Sequence, residues 1–559
     1  MAQQANVGMT PSGQPVIILK EGSSQTKGRE AQKNNIMAAK VISEIIRSSL
    51  GPRGMDKMLV DGMGDVTITN DGATILKEID VQHPAAKMMV EVSKTADTEV
   101  GDGTTSVVIL AGSLIEKAEE LIDKEVHPTI VVDGYKKAAA QALKILDEIS
   151  IKVDSGDKKW LNKVAKTSMA SKLIWRESDL LSKIVTDAVV AVADNDNGVY
   201  KVDVDDVKVE KKAGGSLKDT SLIQGIVLDK EVVHAGMPRR IENAKIALIT
   251  APLEIEKTEF DAKINITNPD QIQAFLDQEG TMLKDMVDKI EQAGANVLIC
   301  QKGIDDSAQH YLSKAGILTV RRVKQSDMDK LSRATGGRII TNLDDLTKND
   351  LGSSKLVEER KIEEDKWVFV EGCKNPRSVT ILIRGGTQRV VDEADRSIHD
   401  SLMVVKDVLV KPSVVVGGGA PEAELSRLLK TYANKLSGRE QLAVQKFAEA
   451  LEIIPITLAE NAGLDPIDTQ VQIGAAHGQG HKWYGVNVVK GRVDDCEKLG
   501  IYEPTVVKEQ IIKAATETAG MLLRIDDVVA SAKSPAPPPG ADMGGMGGMG
   551  GMPPGMGMM

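Results

Sequence analysis

The segment Gly101–Ser106 has the sequence Gly-Asp-Gly-Thr-Thr-Ser, which combines two glycines, one carboxylate and three hydroxyl groups. The glycines let backbone N–H groups approach an anion closely, and the positive end of the helix predicted to follow would face the same point. Either Thr104 or Thr105 could cap that helix. Asp102 would repel a bare anion, but it suits a site where Mg²⁺ bridges a carboxylate and phosphate oxygens. An ordinary capped turn at the start of a helix is the alternative.

Two more glycine-containing turns lie upstream of this segment. Leu-Gly-Pro at 50–52 follows a predicted helix, and Asn-Asp-Gly at 70–72 follows the predicted strand Val66–Thr69. Each alone is an ordinary helix stop or turn. Together, three short loops that expose their backbone, two of which carry an aspartate, favour one site for a polyphosphate and a metal ion. The sequence contains no Gly-x-x-x-x-Gly-Lys-Ser/Thr motif, so a nucleotide would be bound in another way than in P-loop proteins.

A third acidic group, Asp400, lies on a helix predicted from about residue 387 to residue 410. The apolar residues of this helix recur on one face, and Asp400 lies on the opposite face with Glu393 and Arg396. A carboxylate in that position can point into a cleft and orient a water molecule for in-line attack on a phosphate. A solvated helix face is the alternative interpretation of these residues alone.

The elements that would carry these loops change in type along the chain. The first 150 residues are predicted to be mainly helical, with one helix spanning Pro128–Ile149. After about residue 200, short β-rich runs such as Val207–Glu210 and Val297–Cys300 alternate with helices, as in an α/β module that begins after a glycine hinge at 214–215. From residue 417 to about residue 531 the pattern is helical again.

Composition disfavours several classes of protein and partner. The chain has 559 residues, and at roughly 150 residues per domain this predicts about three or four domains. A net charge of -11 and an aromatic content of 3% disfavour nucleic acid as a partner. Cys300, Cys373 and Cys496 lie far apart, so neither a disulfide framework nor a zinc site is expected, which fits a reducing cytoplasm. The sequence lacks the apolar run of about 18 residues that a membrane span needs.

The three loops and several later motifs resemble the signatures of group II chaperonins of the archaeal thermosome type, which are related to the subunits of the eukaryotic cytosolic chaperonin. The matching segments are 50–57 (LGPRGMDK), 69–74 (TNDGAT), 101–106 (GDGTTS), 417–420 (GGGA), 449–455 (EALEIIP) and 458–466 (LAENAGLDP). The resemblance covers essentially residues 15–530. Several motifs in the same order make a chance agreement implausible.

The resemblance implies a multidomain α and α/β protein with the chaperonin fold. A mainly helical equatorial ATPase domain would comprise 15–147 and 405–531, and an intermediate hinge domain 148–214 and 371–404. An α/β apical domain, 215–370, would bind substrate proteins. Its helical protrusion, at about 252–280, would act as a lid, although a surface hairpin without a partner is the alternative. The Gly/Met-rich tail 532–559 is expected to be disordered, because it cannot bury enough apolar surface.

The resemblance also assigns roles to individual residues. Asp400 and Asp71 would be catalytic: Asp400 would reach the nucleotide when the hinge closes, and Asp71 would lie near the γ-phosphate. Asp102 would hold Mg²⁺. The expected ATP-binding residues are Leu50, Gly51, Pro52, Gly72, Gly103, Thr104, Thr105, Ser106 and Lys172 on the phosphate side and Gly418, Asn487 and Glu503 at the nucleoside end. In the lid, Ile272, Phe275 and Leu276 would contact clients or adjacent lids.

The function expected from the sequence is that of an ATP-dependent, cytoplasmic chaperonin subunit. It would assemble with identical or paralogous subunits in a double ring, enclose non-native proteins and fold them, with neither nucleic acid nor membrane as a partner. Two alternatives stay open. One is an ATP-independent holdase or scaffold, which Asp102 and Asp400 disfavour. The other is a small-molecule kinase that uses the same loops, although no second group of residues suited to a small substrate is present.

Overall fold

The computed structural model describes residues 7–9, 15–17, 24–196, 198–255, 269–373 and 378–530. Residues 256–268, which form much of the expected lid, lie outside this part of the chain. So do the side chains of Ile272, Phe275 and Leu276 and the tail 532–559. Two compact units are distinguished, residues 1–34 with 525–559 and residues 35–524.

The first unit contains two antiparallel strand pairs. Val7–Met9 pairs with Pro15–Ile17, and Ser24–Lys27 pairs with Asp527–Ala530. The second pair joins segments from opposite ends of the sequence. Helix Gly28–Arg47 begins in this unit.

Helices from both ends of the second unit pack against one another, as when Thr505–Leu523 packs on Thr104–Ile122. Their bounds are Gly72–Glu78, Pro84–Val100, Thr104–Ile122, Pro128–Ile149, Lys158–Met169, Ser178–Val192, Gln388–Val410, Ala420–Ala433, Arg439–Leu451, Ile453–Asn461, Pro466–Gly478 and Thr505–Leu523. The predicted bounds of Pro128–Ile149 are confirmed, and Pro128 occupies its first turn, where a missing N–H group costs little. At the centre of the packing, Tyr135 contacts Phe447 edge to face and donates a hydrogen bond to the carbonyl of Leu114 (2.8 Å).

Small sheets accompany these helices. Ser413–Val416 pairs with Tyr502–Pro504 and with Ile151–Lys152, and Tyr484–Asn487 pairs with Arg492–Asp495. Lys57–Val60 pairs with Val66–Thr69, and Asp194–Asp196 pairs with Val199–Lys201. Short 3-10 helices span Leu173–Glu177, Val204–Asp206, Leu217–Asp219, Leu343–Asp345 and Lys348–Asp350.

A seven-stranded mixed sheet occupies the middle of the sequence. Its order is Gly225–Leu228, Asp365–Cys373, Gly352–Ile362, Arg240–Ile249, Val297–Cys300 and Leu318–Val320, with Ile339–Ile340 also paired to Arg240–Ile249. The helices of this region are Pro269–Gln292, Asp306–Lys314 and Gln325–Thr335. Strand Val297–Cys300 is wholly buried between parallel neighbours, which explains its continuous apolar sequence. The expected mixture of helical and α/β structure is confirmed.

A three-stranded sheet in the order Ser221–Ile223, Val379–Gly385, Val207–Ala213 packs on helix Gln388–Val410. The glycines predicted as a hinge follow strand Val207–Ala213, and both have positive φ, 102° at Gly214 and 78° at Gly215. This backbone conformation favours glycine.

No helix in the described part of the chain is both long enough and apolar enough to cross a membrane. Cys300, Cys373 and Cys496 are free thiols. Burial raises the pKa of Cys300 and Cys373 to about 11 and that of Cys496 to about 12, so these thiols remain protonated at neutral pH.

Candidate functional site

The predicted phosphate loop is a tight connection between two helices. Pro84–Val100 ends at Gly101 with φ 65°, and Thr104–Ile122 begins after Gly103 with φ 77°. The prediction that Thr104 or Thr105 caps the second helix is wrong, because Gly103 occupies the cap position and no side chain caps the helix there. The first N–H groups of this helix therefore remain free of a capping side chain and can bind an anion.

The hydroxyl group of Thr104 joins this loop to the second one. It donates a hydrogen bond to Oδ1 of Asp71 (2.8 Å), while Oδ2 of Asp71 accepts one from the N–H group of Thr74 (2.8 Å). Asp71 thus caps helix Gly72–Glu78, so the predicted turn is the beginning of a helix. A Cβ atom on Gly72 would lie 2.7 Å from Oγ1 and 2.8 Å from the backbone nitrogen of Thr105, so glycine permits the contact between the loops.

Asp400 lies beside the same two loops. A Cβ atom on Gly101 would overlap the side chain of Met403 and lie 3.7 Å from Cα of Asp400, so the phosphate loop packs directly on helix Gln388–Val410. The interpretation of Asp400 as part of a solvated helix face is wrong, because the residue is only 5% exposed and its Oδ2 lies 2.9 Å from Nζ of Lys172. Asp400 is thus already in the cluster in the conformation described here.

Lys172 links the two aspartates. Its Nζ is 2.9 Å from Asp400 and 4.0 Å from Oδ1 of Asp71. Burial alone would lower the pKa of Lys172, but the carboxylates of Asp400, Asp71 and Asp102 outweigh burial and raise the pKa above its ordinary value. The lysine therefore stays positively charged at neutral pH.

The environments of Asp71 and Asp400 shift their pKa values in opposite directions. Burial would raise the pKa of Asp71, but Lys172 and the hydrogen bonds from Thr74 and Thr104 lower it overall. At Asp400, burial and the charges of Asp71 and Asp102 raise the pKa well above its ordinary value, although Lys172 opposes them. Asp71 is thus held ionised, whereas Asp400 has the higher proton affinity, an arrangement typical of groups that divide acid and base roles.

The balance of charges in the cluster fits a bound Mg²⁺. Three carboxylates, Asp71, Asp102 and Asp400, act on one ammonium group, Lys172, which leaves negative charge in excess. No group of three or more His, Cys, Asp or Glu side chains in the described residues is arranged to hold a metal ion by itself. This suits Mg²⁺, which usually takes one or two carboxylates and completes its shell with phosphate oxygens and water. Asp102 is partly exposed, and its Oδ1 accepts a hydrogen bond from the N–H group of Gly103 (2.7 Å).

The residues predicted for the nucleoside end gather around the loop 417–419. The carbonyl of Gly418 accepts a hydrogen bond from the N–H group of Val486 (2.9 Å), next to the buried Asn487. The N–H groups of Val489 and Lys490 donate to Oδ1 of Asn487 (3.2 and 3.1 Å).

Glu503 lies on the other side of this loop. A Cβ atom on Gly417 would overlap Oε1 of Glu503, so the carboxylate lies directly against the glycine. The pKa of Glu503 is raised by burial, by Glu422 and by Asp102, although Lys508 opposes the shift. Glu503 thus contacts both the loop 417–419 and Lys508.

The loop 50–52 makes different contacts. The carbonyl of Leu50 accepts a hydrogen bond from Nδ2 of Asn461 (2.9 Å), and a Cβ atom on Gly51 would overlap the side chain of Leu458. This loop, which ends with Pro52, is therefore held by helix Ile453–Asn461. Within the described residues, no hydrogen bond or ion pair joins it to Asp71, Lys172 or Asp400. Ser106, in the first turn of helix Thr104–Ile122, is half-buried.

Sequence reasoning missed two polar residues near these groups. Asn70 donates a hydrogen bond to the carbonyl of Ser171, next to Lys172, and so connects the second loop to the lysine segment. Lys508 is buried and lies 2.6 Å from Oε2 of Glu503. Local rules predict only a turn at Asn70. Lys508 carries no local signal, since a buried lysine and a solvated one have the same sequence pattern on a helix.

Comparison with known proteins gives one consistent result. Residues 42–533 match the TCP-1/cpn60 chaperonin family. The thermosome subunit beta of Archaeoglobus fulgidus is 58% identical over 522 residues, which cover 93% of this chain and 96% of that protein. A thermosome subunit of Pyrococcus horikoshii is 57% identical over 522 residues, covering 93% and 95%. The thermosome subunit beta of Sulfurisphaera tokodaii is 56% identical over 534 residues, covering 95% and 97%. The chain therefore belongs to the TCP-1/cpn60 chaperonin family, as a group II subunit of the thermosome type.

Proposed function

We propose that ATP is bound and hydrolysed at the cluster formed by Asp71, Lys172 and Asp400. ATP hydrolysis coupled to protein folding is the activity of the family to which the chain belongs, and hence of this chain. The observation that carries the assignment is the buried ammonium of Lys172, 2.9 Å from Asp400 and 4.0 Å from Asp71. It lies beside a helix whose first N–H groups have no side-chain cap. A charged lysine and free N–H groups are the donors that a triphosphate requires.

Each residue then has a defined task in the reaction. The first N–H groups of helix Thr104–Ile122 bind phosphate oxygens, and Lys172 neutralises their charge. Asp400 accepts a proton from the attacking water while the oxygen of that water forms a bond to the γ-phosphorus. ADP leaves as the bond between the γ-phosphorus and the β-γ bridging oxygen breaks. Asp71, held ionised by Lys172 and Thr104, fixes the position of the lysine. Mg²⁺ held through Asp102 would offset the charge on the phosphate oxygens.

The proposed domains divide this cluster between two parts of the chain. Asp71 and Asp102 belong to the proposed equatorial domain, 15–147 and 405–531. Lys172 and Asp400 belong to the proposed hinge domain, 148–214 and 371–404. The ion pair between Lys172 and Asp71 therefore crosses the domain boundary, which supports a coupling between hydrolysis and hinge movement.

For the assembly, we propose a double ring of identical or paralogous subunits whose apical domains, 215–370, bind non-native proteins. The lid at about 252–280 would close the chamber. Its proposed base is well anchored, because the buried Leu253 forms a β-bridge with Ile304. Free thiols and an acidic chain support a reducing cytoplasm without nucleic acid or a membrane as partner.

A calorimetric titration of the assembled protein with ATP, with and without Mg²⁺, tests the site. Asp102→Asn keeps the oxygen that accepts from Gly103 but removes the charge, so affinity for ATP with Mg²⁺ should fall at least about ten-fold while affinity without Mg²⁺ is retained. Asp123→Asn, at the exposed far end of the same helix, is the matched control and should behave as the wild type. If Mg²⁺ increased the ATP affinity of Asp102→Asn as much as that of the wild type, the role of Asp102 would be refuted. A wild type without affinity for ATP would refute the site itself.

A further inference from the structure

We propose that Lys508 is a positioning residue for the nucleoside end of the site: it holds one oxygen of Glu503 so that the other accepts hydrogen bonds from the sugar hydroxyl groups of ATP. The inference rests on the ATP site proposed above and deepens it, because it names the residue that orients Glu503.

The two carboxylate oxygens of Glu503 have different neighbours. Nζ of Lys508 lies 2.6 Å from Oε2 of Glu503 and 2.8 Å from Oε1 of Glu422. The other oxygen of Glu503, Oε1, lies against Gly417, where a Cβ atom would overlap it. In the described part of the chain, no hydrogen bond or ion pair uses Oε1 of Glu503. Lys508 thus directs one oxygen into the protein and leaves the other at the loop 417–419.

Lys508 also joins three elements that meet at this loop. Glu422 lies in the first turn of helix Ala420–Ala433, directly after the glycines, and Glu503 lies on strand Tyr502–Pro504. Lys508 itself lies in the first turn of helix Thr505–Leu523. One ammonium group therefore fixes the glycine loop and Glu503 relative to each other.

The helix that carries Lys508 also supports the phosphate loop. A Cβ atom on Gly103 would lie 2.7 Å from Cδ1 of Ile511 and 3.2 Å from Cγ1 of Val507. Val507 adjoins Lys508, and Ile511 follows it by about one helical turn. The distance between Glu503 and the phosphate loop is thus set by a single rigid helix.

The charges indicate what the ligand must supply. Lys508 and Glu422 are each 6% exposed, so two carboxylates share one largely buried ammonium group and acceptors outnumber donors. Oε2 of Glu422 is buried and has no hydrogen-bond partner in the described residues. A ligand that brings hydrogen-bond donors would satisfy this site. In ATP the sugar lies between the base and the phosphates, and the helix that carries Lys508 contacts Gly103 of the phosphate loop. The donors nearest Glu503 are therefore the sugar hydroxyls.

Steady-state ATPase assays with ATP, 2′-deoxy-ATP and 3′-deoxy-ATP test the inference. For at least one deoxy analogue, the wild type should show kcat/KM about 10- to 100-fold below that for ATP, as expected for a hydrogen bond to a charged group. In Lys508→Met the KM for ATP should rise about 10- to 100-fold, and kcat should stay within about three-fold of the wild type. The ratio of kcat/KM for ATP to that for the deoxy analogue should fall below about three-fold. The matched control is Lys411→Met, which removes an ion pair with Glu509 (2.6 Å) on the same helix and should keep the wild-type discrimination.

A second variant distinguishes loss of the positioning role from loss of folding. Lys508→Met leaves the carboxylates of Glu422 and Glu503 without a counter-charge, whereas Lys508→Met with Glu422→Gln leaves only that of Glu503. The double variant should show the same loss of discrimination in assembled rings. A wild type that hydrolyses ATP but does not discriminate against either analogue would overturn the inference. An assembled variant that keeps the wild-type discrimination would also overturn it, as would failure of both variants to assemble, which would make Lys508 a structural residue. A wild type without ATPase activity would instead count against the ATP site proposed above.

Discussion

Replacing Asp400 with asparagine should remove most ATP turnover and leave nucleotide binding intact. Asparagine has nearly the same shape and keeps an oxygen for Nζ of Lys172, which lies 2.9 Å from Oδ2 of Asp400. It cannot take up the proton of the attacking water. Loss of general base catalysis typically costs about 100- to 10,000-fold, so kcat should fall by that factor, or by about 3–5 kcal/mol in activation free energy.

Stability should change much less than turnover, for a reason that follows from the pKa of Asp400. Burial and neighbouring carboxylates raise this pKa well above its unfolded value. A raised pKa means that the residue's contribution to stability is fully present below the unfolded pKa and is lost as the pH rises through the folded pKa. Asparagine removes this penalty but also removes the ion pair with Lys172. These opposing effects should leave the free energy of unfolding within about 1 kcal/mol of the wild type.

Single-turnover phosphate release measures the chemical step, and calorimetry measures nucleotide binding. In the wild type, phosphate release should increase as the pH rises through the pKa of Asp400, and this acidic limb should be absent in Asp400→Asn. Asp395→Asn is the control, since Asp395 lies on the same helix but pairs with the partly exposed Lys211 (3.0 Å). Unchanged phosphate release would refute the catalytic role of Asp400. Full refolding of a client by an Asp400→Asn ring that does not hydrolyse ATP would favour the holdase alternative.

Two further predictions concern buried charges. Lys172→Met removes the cation that pairs with Asp400, so it should lower the free energy of unfolding by about 3–5 kcal/mol, a loss that chemical denaturation would measure and that should shrink as the pH falls and the carboxylates take up protons. Equal stability of this variant and the wild type at neutral pH would contradict the charge balance described for the cluster. Burial raises the pKa of Asp407 to about 7, so its stability contribution is complete below the unfolded pKa and is lost as the pH rises through about 7. Asp407→Asn should therefore be more stable than the wild type at pH about 8, by about 1 kcal/mol or more, and the gain should shrink as the pH falls and disappear only below the unfolded pKa of an aspartate, about 4; a gain independent of pH would show that ionisation is not the cause.

The parts of the fold that could be predicted from the sequence are those set by local patterns. Helix Pro128–Ile149 has a proline at its start and an apolar stripe along its length, and strand Val297–Cys300 is a short, fully apolar run. Both have the predicted bounds. The Leu-Gly-Pro stop at 50–52 predicts a helix that continues to Leu50, but helix Gly28–Arg47 ends earlier, because Ser48 and Ser49 favour the turn that precedes Gly51.

The polar contacts of the site could be predicted less well, because they depend on residues distant in sequence. A threonine after Gly103 is a good helix cap by local rules, yet the hydroxyl of Thr104 binds Asp71, which lies 33 positions earlier. Periodicity places Asp400 on the polar face of its helix, but Asp400 is buried there, since Lys172 supplies a counter-charge. Periodicity identifies an apolar face, but it cannot distinguish a polar face in water from one that lies against a buried ion pair.

The excess of carboxylates suggests how ATP could favour the conformation in which the cluster is assembled. Asp400 and Lys172 lie on the proposed hinge segments, and Asp71 and Asp102 on the proposed equatorial segments. Burial raises the pKa of Asp400, and the charges of Asp71 and Asp102 raise it further although Lys172 opposes the shift, so an ionised Asp400 is disfavoured beside the other two aspartates. A cation bound with the nucleotide would reduce this repulsion, and its release after hydrolysis would restore it. A ligand can shift an equilibrium only by its difference in affinity for the two states. In this cluster, that difference would come from the charge balance among three aspartates and one lysine.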